Sequence, residues 1–212
     1  IKLNFKIRNK KFYKMLIFYD LETTGLNPYH DNITEYCFFK YSGSIYCSSM
    51  VDLVNPLMKL SDKIVRITKI TDEMLKDCEP FNLNVANKIL PFLRCNNEIK
   101  YMVAHNGDVF DRIFLKNHFK RVGINMNYYG FKYIDTLLFA RMMYPQFYKY
   151  SLGFLIEKFG IPKRIGHRAE NDTKMLIDLY QYMCRDLDSR NEKTGDYYLN
   201  NPELVYNMIY NY

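Results

Sequence analysis

The stretch from Met15 to Leu26, Met-Leu-Ile-Phe-Tyr-Asp-Leu-Glu-Thr-Thr-Gly-Leu, constrains this chain more than any other. Leu16, Ile17, Phe18 and Tyr19 form a continuous apolar run, long enough for a buried strand and too short for a helix. The run passes into Asp20 and Glu22 and breaks at Thr23-Thr24-Gly25. Successive strand side chains alternate faces, so the two carboxylates point the same way. Held side by side at the end of a buried strand, they raise each other's pKa unless a cation lies between them. An all-oxygen donor set suits magnesium or manganese rather than zinc or copper. A lone Asp-x-Glu reads more readily as a surface turn with two solvated acids, and it is the acids downstream that decide against that reading.

After the Gly25 turn, Ile33–Tyr41 and Ile45–Val54 read as strands joined at Ser-Gly, an antiparallel meander with the first. Residues 61–77 hold two short helical turns with Ser61 and Thr71 as N-caps. A helix follows from Asn84 to Leu93, then a short buried strand, Tyr101–Ala104, running into His105-Asn106-Gly107-Asp108. The next helix opens near Val109 and closes at Gly123, and Asp111 heads its apolar stripe with Phe114, Leu115 and Val122. Asp111 has a structural alternative, since Asp108 as N-cap with an acid three residues later resembles a capping box. Phe131–Ile134 reads as a fifth strand, followed by helices over 135–143 and 151–159. The longest helix runs to Leu187, with Asp172, Leu176, Leu179, Met183 and Leu187 on one face. A carboxylate heading a buried stripe needs a partner. Carried through a helix, His167 would sit ~140° from Asp172, at ~100° per residue, so it reads as a loop-borne group beside a metal rather than a ligand. A last helix is expected over Pro202–Tyr210.

The 212 residues suffice for one domain with its own core. No apolar run approaches the ~20 residues of a membrane span and no signal-peptide pattern is visible, so an intracellular protein is expected, cytoplasmic or nuclear. Five cysteines without a CxxC pair read as reduced, structural thiols. The net charge of +7 is concentrated: six basic residues and no acid fall within residues 1–14, while 15–212 carry 24 basic and 23 acidic groups. Residues 1–14 read as a basic leader outside the fold, with Met15 where a natural start is expected, or else as a phosphate-binding arm. The fold proper is expected over 15–190, with 191–212 an extension carrying one helix.

One arrangement accounts for Asp20, Glu22, Asp111, His167 and Asp172 together. Four carboxylates meeting at the strand end would hold two divalent ions ~3.5–4 Å apart, a pair suited to phosphodiester hydrolysis. An imidazole, ordinarily titrating near ~6.5, is suited to deprotonate the attacking water.

Asp20-Leu-Glu-Thr-Thr-Gly, the Asn106…Asp111 segment and His167-x-Ala-x-x-Asp172 stand in the order of the DEDDh 3′→5′ exonuclease motifs. Within that group the chain most resembles the three-prime repair exonucleases, over residues 15–185. The similarity extends to Thr34-Glu35-Tyr36-Cys37, Ala104-His105-Asn106-Gly107-Asp108, Ser151-Leu152-Gly153 and His167-Arg168-Ala169-Glu170. The resemblance implies an α/β, RNase H-like fold with a mixed five-stranded sheet flanked by helices. It implies two Mg²⁺ ions, replaceable by Mn²⁺, on Asp20, Glu22, Asp111 and Asp172, with His167 as general base. It further implies nucleic-acid contacts by Thr23, Thr24, Leu26, Ile67, Asn106 and Phe110, with core packing the alternative for Leu26 and Ile67. Relatives of this kind form homodimers through a sheet edge, here Cys47–Val51. Two departures stand out: proline-rich insertions are absent at Ser42-Gly43-Ser44, and Val109 stands where some relatives are basic. The activity expected is 3′→5′ hydrolysis of DNA to nucleoside 5′-monophosphates. RNA as substrate and a non-catalytic nucleic-acid-binding module are the rivals, and a binder has no need of four clustered acids.

Overall fold

Strand β1 (Lys14–Thr23) is the middle strand of the sheet. The computed structural model describes residues 14–94 and 99–211. β2 (Ile33–Ser42) pairs antiparallel with β1, and β3 (Ile45–Leu53) antiparallel with β2. On the other side β4 (Ile99–Ala104) lies parallel to β1 and β5 (Lys132–Asp135) parallel to β4. The order β3-β2-β1-β4-β5 is the mixed five-stranded sheet that the RNase H-like resemblance implies. β3 is its antiparallel edge, where residues 47–51 were expected at one.

The helices are α1 (Asp62–Thr68), α2 (Asp72–Leu75), α3 (Leu83–Leu93), α4 (Asp111–Arg121), α5 (Thr136–Met143), α6 (Leu152–Lys158), α7 (Ala169–Arg190), α8 (Tyr197–Asn200) and α9 (Pro202–Tyr210). Ser61 and Thr71 cap α1 and α2 as their position suggests, each accepting from the backbone N–H three residues on. The Asp108 cap on α4 does not form: Phe110 is the N-cap residue and makes no side-chain cap bond. Residues 191–212 hold two helices rather than one, and both pack into the fold, with Tyr198, Leu199 and Val205 buried in the core. Lys14 belongs to β1 rather than to a leader, and its ammonium pairs with Glu203 of α9. Residues 1–13 lie outside those described.

The alternation of β1 builds both layers. Leu16 and Phe18 point into one core with Leu176, Leu179, Tyr180 and Met183 of α7. Ile17, Tyr19 and Leu21 point into the other with Val85, Ile89, Phe114 and Leu115 of α3 and α4. A strand covered on both faces is apolar at every position, which is why its first half reads as an unbroken run. Asp20 and Glu22 continue the parity of Leu16 and Phe18, so they are delivered to the α7 side. Cys37 and Phe39 of β2 join that same layer, and Glu35 shares their parity. Among the described residues, no helix is long and apolar enough to cross a membrane.

Candidate active site

Asp20, Glu22 and Asp172 meet where β1 ends beneath the first turn of α7, with ligand oxygens all within 4.8 Å of one another. All three are partly exposed, and among the described residues Asp20 and Glu22 have no protein donor to their carboxylates. Burial first, then Asp111 and Glu22, holds Asp20 well above the ordinary carboxylate range. Burial, with Asp172 and Glu35 next, pushes Glu22 up to about 8. Asp172 is also raised by burial, opposed by a hydrogen bond that its Oδ2 accepts from the His167 N–H at 2.7 Å. Three hard oxygen donors that resist ionisation together suit a divalent cation, whose charge would offset their repulsion.

Asp111 does not join the three. It arrives from α4, in the opposite layer, and its buried carboxylate accepts from the Leu21 N–H at 3.1 Å. Burial raises it to about 7, with the Leu21 donor pulling the other way. Its field is nonetheless the first charge acting on Asp20. The acid is thus tied to the backbone of β1 next to Asp20, and it is no part of a capping box.

His167 is exposed, with φ +63°. α7 starts only at Ala169, so the separation from Asp172 comes from a left-handed turn rather than from helical phase. That turn aims the His167 N–H at the Asp172 carboxylate and frees the imidazole for the cleft. The cleft has a volume of about 830 Å³ and is lined by Asp20, Asp172, His167, Ile67 and Ile165. Arg66, Lys69 and Lys163 also line it, and among the described residues no carboxylate pairs with them. Such unpaired cations beside an acid cluster suit a polyanion laid across it.

The other expected contacts disperse around this cleft. Leu26 is 80% exposed at the tip of a loop, and Ile67 is 38% exposed on the cleft wall, so neither is a core residue. Thr23 is buried and its hydroxyl donates to the Gly25 carbonyl. The Thr24 hydroxyl donates to Asp31 and accepts from the Asn32 N–H, so it shapes the loop that presents Leu26. Asn106 is exposed with φ +61°, and Phe110 packs half-buried on Phe114 with ring centroids 4.8 Å apart.

Two acids escape a reading by spacing. Glu35, buried to 1%, is the cross-strand partner of Glu22. Like charges directly opposed destabilise a strand pair. Arg168 supplies the compensation, with Nη2 2.6 Å and Nε 3.2 Å from the Glu35 carboxylate, which also accepts the Ala169 N–H at 2.8 Å. The Arg168 charge also lowers the Glu22 pKa. The signal was available: one acid among Ile33, Tyr36, Cys37 and Phe38 with the parity of the catalytic face. Asp135 is likewise buried, and its carboxylate takes the N–H groups of Asn106, Asp108 and Leu137. His105 is held by Thr136 and the Tyr150 carbonyl, and burial lowers its pKa to about 4, so it is a neutral structural histidine.

With this geometry in place, residues 17–180 match the model of the RNase T exonuclease family. The chain belongs to that family. At the broader level it is a member of the DEDD 3′→5′ exonuclease superfamily. It is 33% identical over 170 residues to the PolC-type DNA polymerase III of Bacillus subtilis (strain 168), covering 80% of this chain and 11% of the polymerase. The counterpart in Staphylococcus haemolyticus (strain JCSC1435) is 30% identical over 191 residues, covering 88% of this chain and 13% of the polymerase. The chain thus spans little more than a tenth of the length of these polymerases. Exonuclease I superposes with a TM-score of 0.72 at 18% identity, over 82% of this chain and 41% of that one. E. coli exonuclease I in complex with a dT13 oligonucleotide gives 0.68 at 18%, over 79% and 40%. At that identity the likeness speaks for the fold alone, which this chain shares.

Proposed function

We propose that this exonuclease hydrolyses DNA from the 3′ end, releasing nucleoside 5′-monophosphates, with Mg²⁺ as the resident metal and Mn²⁺ able to replace it. The observation that carries the reading is the trio Asp20, Glu22 and Asp172, which converge with raised pKa values at a cleft bordered by unpaired cations. These three would hold one ion, and Asp111, bonded to the β1 backbone and acting on Asp20, would complete a place for a second. Bound metal supplies Lewis-acid polarisation of the phosphate and stabilisation of the leaving oxygen.

The protein's own groups do the rest. His167, anchored through its backbone and with no side-chain partner among the described residues, takes the proton of the attacking water as general base. Arg66, Lys69 and Lys163 neutralise backbone phosphates, while Ile67 and Ile165 offer apolar surface to unstacked bases. Leu26 and Phe110 lie against the terminal nucleotide, and the Thr23 backbone reads its 3′-OH. The exposed β3 edge is the surface for a homodimer. Exonuclease I forms complexes with dT13 and dA16, in keeping with an unpaired DNA strand as substrate here.

The deciding experiment follows 3′- and 5′-labelled DNA, with RNA of the same sequence alongside, in Mg²⁺ and in EDTA. Expected are stepwise loss of nucleotides from the 3′ end in Mg²⁺, protection by a 3′-phosphate, and none of either in EDTA or in Asp20→Ala. Faster loss from RNA would move the substrate class to RNA. Full activity in EDTA would sink the metal assignment.

A further inference from the structure

The family match ends at residue 180, yet a residue well beyond it closes onto the loop that leads to Asp111. Tyr210 ends α9, and its hydroxyl donates to Asp108 Oδ2 at 2.7 Å while accepting from the Asp135 N–H at 3.2 Å. One oxygen therefore joins the two acids that fix the loop between β4 and α4. From the Asp135 carboxylate, that loop receives acceptors for its Asn106 and Asp108 N–H groups, at 2.9 and 3.2 Å. Asp108 Oδ1 takes Arg112 at 3.1 Å. Beneath it the chain has no slack: a Cβ on Gly107 would lie 2.5 Å from that of Ala104. The next residues are Phe110 and Asp111.

We propose that Tyr210 is a positioning residue for the exonuclease reaction, fixing through Asp108 the loop that delivers Phe110 and Asp111. The inference rests on the exonuclease reading above and adds to it a part from outside the matched domain. The contact is well placed for this. A phenol donating to a carboxylate is a charge-assisted bond, stronger than a neutral one. The rest of α9 is anchored independently, by buried Val205, by Tyr206 edge-on to Tyr101 of β4 with ring centroids 6.2 Å apart, and by the Lys14–Glu203 pair. Removing only the hydroxyl should therefore leave the helix docked and release the loop.

The test is a double-mutant cycle of Tyr210→Phe and Asp108→Ala in the full chain, with Val205→Ala as control, measuring thermal unfolding and steady-state kinetics on single-stranded DNA. Tyr210→Phe should unfold cooperatively and lose about ten-fold in kcat, the scale of one hydrogen bond to a charged group. KM should change less than kcat, because of the proposed substrate contacts only Phe110 sits on the released loop, while the cleft walls at Ile67 and Lys163 are untouched. The double variant should be no slower than Asp108→Ala alone, since both changes remove one contact. Val205→Ala should lower the unfolding temperature yet keep kcat per folded molecule. Should Tyr210→Phe fail to fold, Asp108→Ala attacks the same contact from the loop and should show the same kcat loss. Wild-type kcat in Tyr210→Phe, additive effects in the cycle, or a parallel kcat loss in Val205→Ala would each overturn the proposal. A wild-type chain inert toward both DNA and RNA would sink the exonuclease reading itself, a failure distinct from these.

Discussion

His167 and Asp172 touch through the backbone of one and the side chain of the other, so substituting either imidazole or carboxylate separates two roles. Removing the imidazole leaves the N–H that steadies Asp172, and the trio of Asp20, Glu22 and Asp172 should survive. The choice of replacement matters because residue 167 sits at φ +63°, where Asn is tolerated far better than Ala. His167→Asn should therefore keep metal-dependent DNA binding and lose ~10²–10⁴-fold in turnover, the contribution of a general base. Asp172→Asn should instead weaken metal binding directly. Single-turnover cleavage across pH, with metal titrated in parallel, separates the two, and loss of metal binding in His167→Asn would make His167 a ligand or support.

At the scale of elements, the site depends on how α7 is clamped to β2. Arg168 and the Ala169 N–H both close on Glu35, so the start of the helix bearing Asp172 is tied to the strand facing Glu22. Arg168→Met would leave the Glu35 carboxylate buried without its cation, a change expected to cost ~3–5 kcal/mol of stability. Replacing both, as Glu35→Gln with Arg168→Met, should recover part of that loss, and denaturant unfolding of the three variants checks it. A negligible loss in Arg168→Met would mean that the Ala169 N–H alone holds the helix. This clamp also shows where sequence reading stops. The apolar run of β1 and the stripe Leu176, Leu179, Met183 and Leu187 of α7 are periodic, so the layers and three of the four acids were legible. Glu35 and Arg168, Asp135 and the Asn106–Asp108 loop, and Tyr210 and Asp108 act across separations of 27 to 133 positions, and no local period encodes such partners. Asp111 was legible as a stripe-heading acid, but its side of the sheet was not. That depends on which layer α4 covers.

Across the whole molecule, the acids set a pH dependence opposite to the usual one. In the metal-free protein Glu22 is raised to about 8 and Asp111 to about 7, with Asp20 and Asp172 raised as well. Unfolded, such groups ionise near ~4. Between those limits the folded state holds more protons than the unfolded, so stability falls as pH rises through the window. His105 and His118, both lowered to about 4 by burial, act the other way between about 4 and 6.5, where the unfolded chain binds the extra protons. Glu79, lowered to about 2, acts only below the ordinary carboxylate range. The window from about pH 6.5 to 8 therefore belongs to the acid site. In EDTA the unfolding temperature should fall across it, and Glu22→Gln should flatten that fall. If Mg²⁺ is the resident metal proposed above, it binds the ionised carboxylates, so it should raise the unfolding temperature more at pH 8 than at 6.5. An unfolding temperature in EDTA that holds or climbs from pH 6.5 to 8 would mean that these carboxylates ionise without mutual penalty, removing the electrostatic case for a metal between them.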